Sequence, residues 1–209
     1  ILLEGSRDFS GINLLDFESI SLQDGNGVRQ TIDVNSSTSF GLAEIRNFTT
    51  GTGSATDVFD YKSNLVAGDG TTLSSGTDLT LTTIDSSARA TNVISANSTA
   101  VIEFEDVLLS IDITSSTNSE IVSAVEALLE SSDASTNLTG ANAGVTQAAA
   151  NTDSLLIFYE SDDDAVIIRY LEGSTSEADY NGELFVISVF DSLSAESGPN
   201  DTFTDANIV

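Results

Sequence analysis

The chain has 209 residues, 40% of them hydrophobic, with 6 Lys and Arg against 33 Asp and Glu and a formal net charge of −27. That supplies enough apolar material for a packed core, in one large or two small domains, and a field that repels nucleic acid and anionic membrane surfaces. Cys, Met, Trp and His are absent, which removes disulfides, thiolate and imidazole metal ligands, and the usual nucleophile–base pairs.

Without Met the chain does not begin at an initiator residue, so a processed protein or a piece of a longer one is expected. Ile1-Leu2-Leu3 is too short for a signal core, and no apolar run approaches the roughly 18 residues of a membrane span. Abundant Ser, Thr, Gly, Asn and Asp point to turn-rich β structure of an extracellular kind. A halophile's acidic surface would share this composition.

In chain order, residues 1–60 read as short strands between turns. Asp24-Gly25-Asn26-Gly27 offers the positive-φ positions of a tight hairpin turn. A strand is expected in "LAEIRNF", and another in Gly76–Asp85, where Leu79 and Leu81 share a face. Thr99–Thr114 reads as a strand pair or a bent strand. A helix over about 118–131 follows from the capping-box spacing of Thr117 and Glu120 and from Ile121, Val125 and Leu128 recurring along one stripe, widened by Val122 and Leu129. A loop or weak helix is expected at Val145–Ala150.

"SLLIFYE" and "AVIIRYLE" flank Ser161–Asp164 with hairpin spacing, and "GELFVISVFDSL" adds a third strand. Their continuous apolar runs suit strands buried on both faces. No repeat of fixed period is present. The expected fold is therefore mainly β: a small layered or roll-like unit over 1–60, then a β-sandwich-like domain over 61–209 with one packed helix.

Glu44-Ile45-Arg46-Asn47-Phe48, the loop carrying Gly51 and Gly53, and Asp57-Val58-Phe59-Asp60 resemble the segment that follows the calcium-binding repeats of RTX proteins, which leave the cell by type I secretion. The C-terminal "FTDANIV" after "ELFVISVFDSL" is similar to the tails that carry their export signal. The resemblance implies a bacterial surface protein of S-layer type, and a loop through which the chain leaves a layered region for a separate sheet.

Calcium is the ligand that the chemistry favours, since it takes six to eight oxygens. Oxygen-rich clusters occur at Asp24/Asn26, Asp57/Asp60, Asp162/Asp163/Asp164 and Glu177/Asp179/Asn181/Glu183; in the last, Gly182 supplies the bend. Each is equally well a solvated turn. Lys62, the lone lysine, shows no Ser-Lys dyad motif, and carboxylate pairs are too common in this chain to signal catalysis. A non-enzymatic extracellular structural protein is expected, self-assembling into a homopolymer, with cell-surface polysaccharide as a further partner class. The alternative is a filament or adhesin subunit that joins by β-strand addition. A carbohydrate-active module ranks third, because no Trp supplies a sugar-stacking platform.

Overall fold

A computed structural model describes residues 2–3, 7–8, 19–22, 28–33, 43–61, 65, 81–83, 101–129, 153–160, 163–171, 182–195 and 202–208. The fold is mainly β with one helix. The N-terminal strands are β1 (Leu2–Leu3), β2 (Arg7–Asp8), β3 (Ser19–Leu22), β4 (Thr31–Asp33), β5 (Ala43–Arg46), β6 (Thr49–Thr50) and β7 (Val58–Asp60). After them come β8 (Leu81–Thr83), β9 (Val101–Leu108), α1 (Asn118–Leu129), β10 (Asp153–Tyr159), β11 (Ala165–Leu171), β12 (Leu184–Asp191) and β13 (Ser194–Ala195).

The first strands alternate between two sheets. β1, β3 and β5 lie side by side and parallel in one sheet, and β2, β4 and β7 do the same in another. Each circuit of the chain adds one strand to each sheet, so the unit is a stack of coils. In-register pairing aligns apolar side chains from coil to coil: Ile20 with Ile45 in one sheet, Ile32 with Phe59 in the other, all buried. The strands flanking Asp24–Gly27 pair with other strands, β3 with β1 and β5, β4 with β2 and β7, so the expected hairpin between them is not formed. A β-hairpin would leave the inward side chains of β3 and β4 in one layer, whereas the stack needs them facing each other across the core.

The larger sheet runs β1-β3-β5-β12-β11-β10-β9-β8. β5 pairs directly with β12, so the division near residue 60 is not a division of the sheet. β10–β11 and β11–β12 are antiparallel, as the spacing of the apolar runs predicts. β9 is one strand, parallel to β10, with its register shifted opposite Phe158 and Tyr159; that bulge is the irregularity visible in the sequence. Because β9 and β10 are parallel neighbours, the connection between them crosses over, and α1 is part of it.

Residues of β10 alternate between two cores. Leu155, Ile157 and Tyr159 face the coil side with Ile20, Ile45 and Phe59; Leu156 and Phe158 face α1. Layers of the sandwich are thus α1, the eight-stranded sheet, and the three-stranded sheet contributed by residues 7–60.

Thr117 caps α1 as the spacing predicts. Its backbone N–H donates to Glu120 Oε2 at 2.8 Å, and the Glu120 N–H reaches back to Thr117 Oγ1 at 3.4 Å. The face differs by one residue from expectation. Ile121, Val125 and Leu129 are buried, while Leu128 is only partly so. The spacings i, i+4 and i+8 place Leu129 nearer the centre of the stripe than i+7 places Leu128. The loop or weak helix at 145–150, Gly76, Leu79 and Lys62 lie outside the described residues.

Candidate functional site

Chemically distinctive contacts gather where the coil stack meets the C-terminal sheet. Segment 44–60 forms one wall. Ile45 and Phe48 enter the core. Between them Arg46 Nε bridges Glu44 Oε1 at 2.8 Å and Asp191 Oδ2 at 3.2 Å, joining β5 to β12 at the surface. Burial raises the Glu44 carboxyl above its ordinary range, with Arg46 opposing the shift and Asp191 adding to it. The Ser192 hydroxyl lowers Asp191, aided by Arg46. Asn47 turns the corner with φ at 59°, and its Nδ2 donates to Ser21 Oγ and the Leu22 carbonyl, both at 3.2 Å, tying this coil to the one before. Asn is among the few non-glycine residues that tolerate this conformation.

Gly51, with φ at 119°, opens the loop that leads to Asp57. This loop joins β6 to β7, and β7 still belongs to the coil stack. It does not deliver the chain to a separate sheet; it carries one coil from layer to layer. Asp57 is buried and acts within the backbone. Oδ1 accepts the Gln30 N–H at 2.8 Å and Oδ2 the Thr49 N–H at 2.9 Å. Removal from water pushes its carboxyl up to about 6, against the lowering effect of those two amides and of Arg29.

Residues 202–208 form the opposite wall. Asn207 is fully buried; its Nδ2 donates to the Asp57 carbonyl at 2.9 Å and the Thr49 carbonyl at 3.3 Å. Asn207 Oδ1 accepts from the N–H groups of Thr204 at 2.9 Å and Gly51 at 3.3 Å, and its carbonyl accepts the Phe59 N–H at 2.8 Å. The Thr204 hydroxyl donates to the Gly51 carbonyl at 2.6 Å. Ile208 makes a parallel bridge to Phe59, extending the column that runs through Ile32. Phe203 packs on Phe190 and Phe48 with ring centres 5.0 and 5.6 Å away.

The same segment reaches along the coil-facing side of the sheet to β10, β9 and β8. The Phe203 N–H donates to Tyr159 Oη at 2.9 Å, and that hydroxyl donates to Glu103 Oε1. Glu103 stands among apolar residues on the coil-facing side of β9, and its Oε2 accepts the Thr83 hydroxyl at 2.9 Å. The Leu81 N–H donates to Asp205 Oδ1 at 2.6 Å. Sequence reading found none of this assembly. Its one visible signal was the isolated Phe203 and Ile208 in a polar stretch.

Of the expected metal ligands, Asp57, Asp60, Asp164 and Glu183 lie among the described residues, with Asp163 beside them. Asp24, Asn26, Asp162, Glu177, Asp179 and Asn181 lie outside the described residues. Asp163 takes φ at 63° in the β10–β11 turn and its carbonyl accepts the Leu193 N–H at 3.0 Å. Asp164 is buried, and its Oδ1 accepts the Ser192 N–H at 2.7 Å. Glu183 precedes β12, and its carbonyl accepts the Leu171 N–H at 2.9 Å. Asp57 thus serves backbone N–H groups through both oxygens, and Asp164 through Oδ1.

Asp60 is buried at the end of β7, in register with Asp33, which is itself in register with Asp8. Three aspartates thus occupy one column of the three-stranded sheet. Among the described residues no three Asp or Glu side chains converge closely enough to hold a metal. Also among them, no helix is long and apolar enough to cross a membrane. The chain matches no protein-family model, no curated protein and no solved structure.

Proposed function

We propose that this chain is an extracellular structural protein of a surface layer or similar assembly, exported by a type I route and stabilised by calcium. The observation that carries the reading is the coil stack with its in-register columns, an architecture that builds length and rigid surface. The stack suits the layered or roll-like unit expected over residues 1–60. A net charge of −27 adds a requirement for counter-ions wherever copies meet. The calcium part of the reading rests on that charge and on the Asp33–Asp60 register, since like charges directly opposite on neighbouring strands repel. A cation beside the column removes that repulsion.

Assembly by strand addition is the second reading, supported by β1 and β2, whose pairing among the described residues is with β3 and β4 alone. The export claim is tested by fusing residues 150–209 to a passenger in a cell carrying a type I apparatus. Release of the passenger is expected. Retention, while a known RTX tail exports the same passenger, removes that part of the reading.

A further inference from the structure

We propose that segment 202–208 is an exchangeable plug, and that copies of this chain join by inserting it into the slot of a neighbour. The inference rests on the self-assembly reading above and names the contact that would carry it. The slot is lined by Thr49, Gly51, Asp57 and Phe59 on the coil side and by Tyr159 and the Leu81 N–H on the other.

Nearly all of what holds the plug comes from sequence-distant residues. Asn207 bonds to partners 150, 156 and 158 positions away, Thr204 to one at 153, and Asp205 to one at 124. An identical slot in a second copy offers the same donors, acceptors and aromatic rings, so exchange between copies keeps every one of these contacts. The slot is also specific. Asn207 presents both donor and acceptor to backbone groups of fixed position, and a residue lacking either would leave buried polar groups unsatisfied.

Charge favours exchange over surface-to-surface contact. Two copies carrying −27 each repel across any exposed interface. The plug contacts are amide, hydroxyl and aromatic in kind. Its one acidic group, Asp205, is answered by the Leu81 N–H, and Asp57 meets the plug through its carbonyl rather than its carboxylate. The segment thus offers a joint that brings almost no like charge together.

The chain has no cysteine, so introduced thiols are unambiguous. Full-length Leu81→Cys and Asp205→Cys are mixed under assembly conditions, in millimolar calcium, then oxidised and resolved by mass. The double variant, alone and dilute, reports the same contact within one chain. Exchange predicts mixed disulfide dimers in excess of both homodimers, growing with concentration. Assembled particles with no mixed dimer overturn the plug and leave the assembly reading standing. Absence of both particles and mixed dimers overturns the two together.

Discussion

Asn207 donates to the carbonyl of Asp57, 2.9 Å away across 150 residues of chain, and so fastens the C-terminal segment to the wall of the coil stack. The bond is one of a set that Asn207 makes while fully buried.

Replacing Asn207 with Ala strands the acceptors and donors it serves. Each buried polar group left unsatisfied costs about 1–3 kcal/mol. Asn207→Ala should therefore lower stability by more than a single such cost, seen as a shift of the urea midpoint at unchanged slope. Asn207→Asp should be worse, since its acceptor-only carboxylate faces the Thr49 and Asp57 carbonyls. A midpoint unchanged in both variants would show the segment to be loosely applied.

On α1, burial rather than the simplest periodic pattern decides the outcome. Leu129→Ala should cost about 2–5 kcal/mol, the range for emptying a buried leucine site. Leu128→Ala should cost distinctly less, because that side chain is only partly buried. Thr117→Ala should remove about 0.5–2 kcal/mol through loss of the cap. Thermal melts of the three variants rank them, and a larger loss at Leu128 than at Leu129 would reverse the assigned face.

Asp57 sets a pH dependence whose sign is fixed by its raised value. Its carboxyl titrates at about 6 in the fold against an ordinary 3.8, so the folded state holds the proton more tightly than the unfolded chain. The stability it contributes is complete below the unfolded value and is lost as pH rises through about 6. Asp57→Asn abolishes this titration. The difference in melting temperature between wild type and variant should therefore fall as pH rises between about 4 and about 7. Asp191, lowered mainly by Ser192, acts oppositely, its stabilisation fading toward strong acid in both proteins. A pH-independent difference would mean that burial does not perturb Asp57.

At the Asp33–Asp60 register, Asp60→Asn should raise the melting temperature in calcium-free buffer and reduce the further rise that calcium gives. An unchanged calcium increment would place the ion elsewhere.

Much of the C-terminal sheet was legible because local rules coincide there. Leu155-Leu156-Ile157-Phe158 is apolar at every position because both faces are covered, and the turn at Asp163 is too short for anything but a hairpin. The α1 cap was legible because Thr117 and Glu120 satisfy each other within one turn. Stacking was not legible as a period. Register joins Leu2 to Ser21 and Ser21 to Arg46, but Arg7 to Ile32 and Ile32 to Phe59, so coil lengths vary while the columns stay aligned. The number of residues between the strands therefore varies, and a search for fixed spacing sees nothing. Asn207 was invisible for another reason: a lone asparagine in a short polar segment carries no signal until its distant partners are in place.

Calcium is expected both to stabilise this fold and to draw copies together. Bound to the folded state alone, it adds RT ln(1 + [L]/Kd), about 2.7 kcal/mol at a hundredfold excess over Kd. Sodium screens all charges and bridges none. The direct test is light scattering with a parallel thermal melt of the purified chain, in calcium and in sodium at equal ionic strength, each followed by chelator. A higher melting temperature and ordered particles are expected in calcium alone, both reversed by the chelator. Equal behaviour in the two salts would contradict this expectation and assign the acidity to a salt-adapted surface.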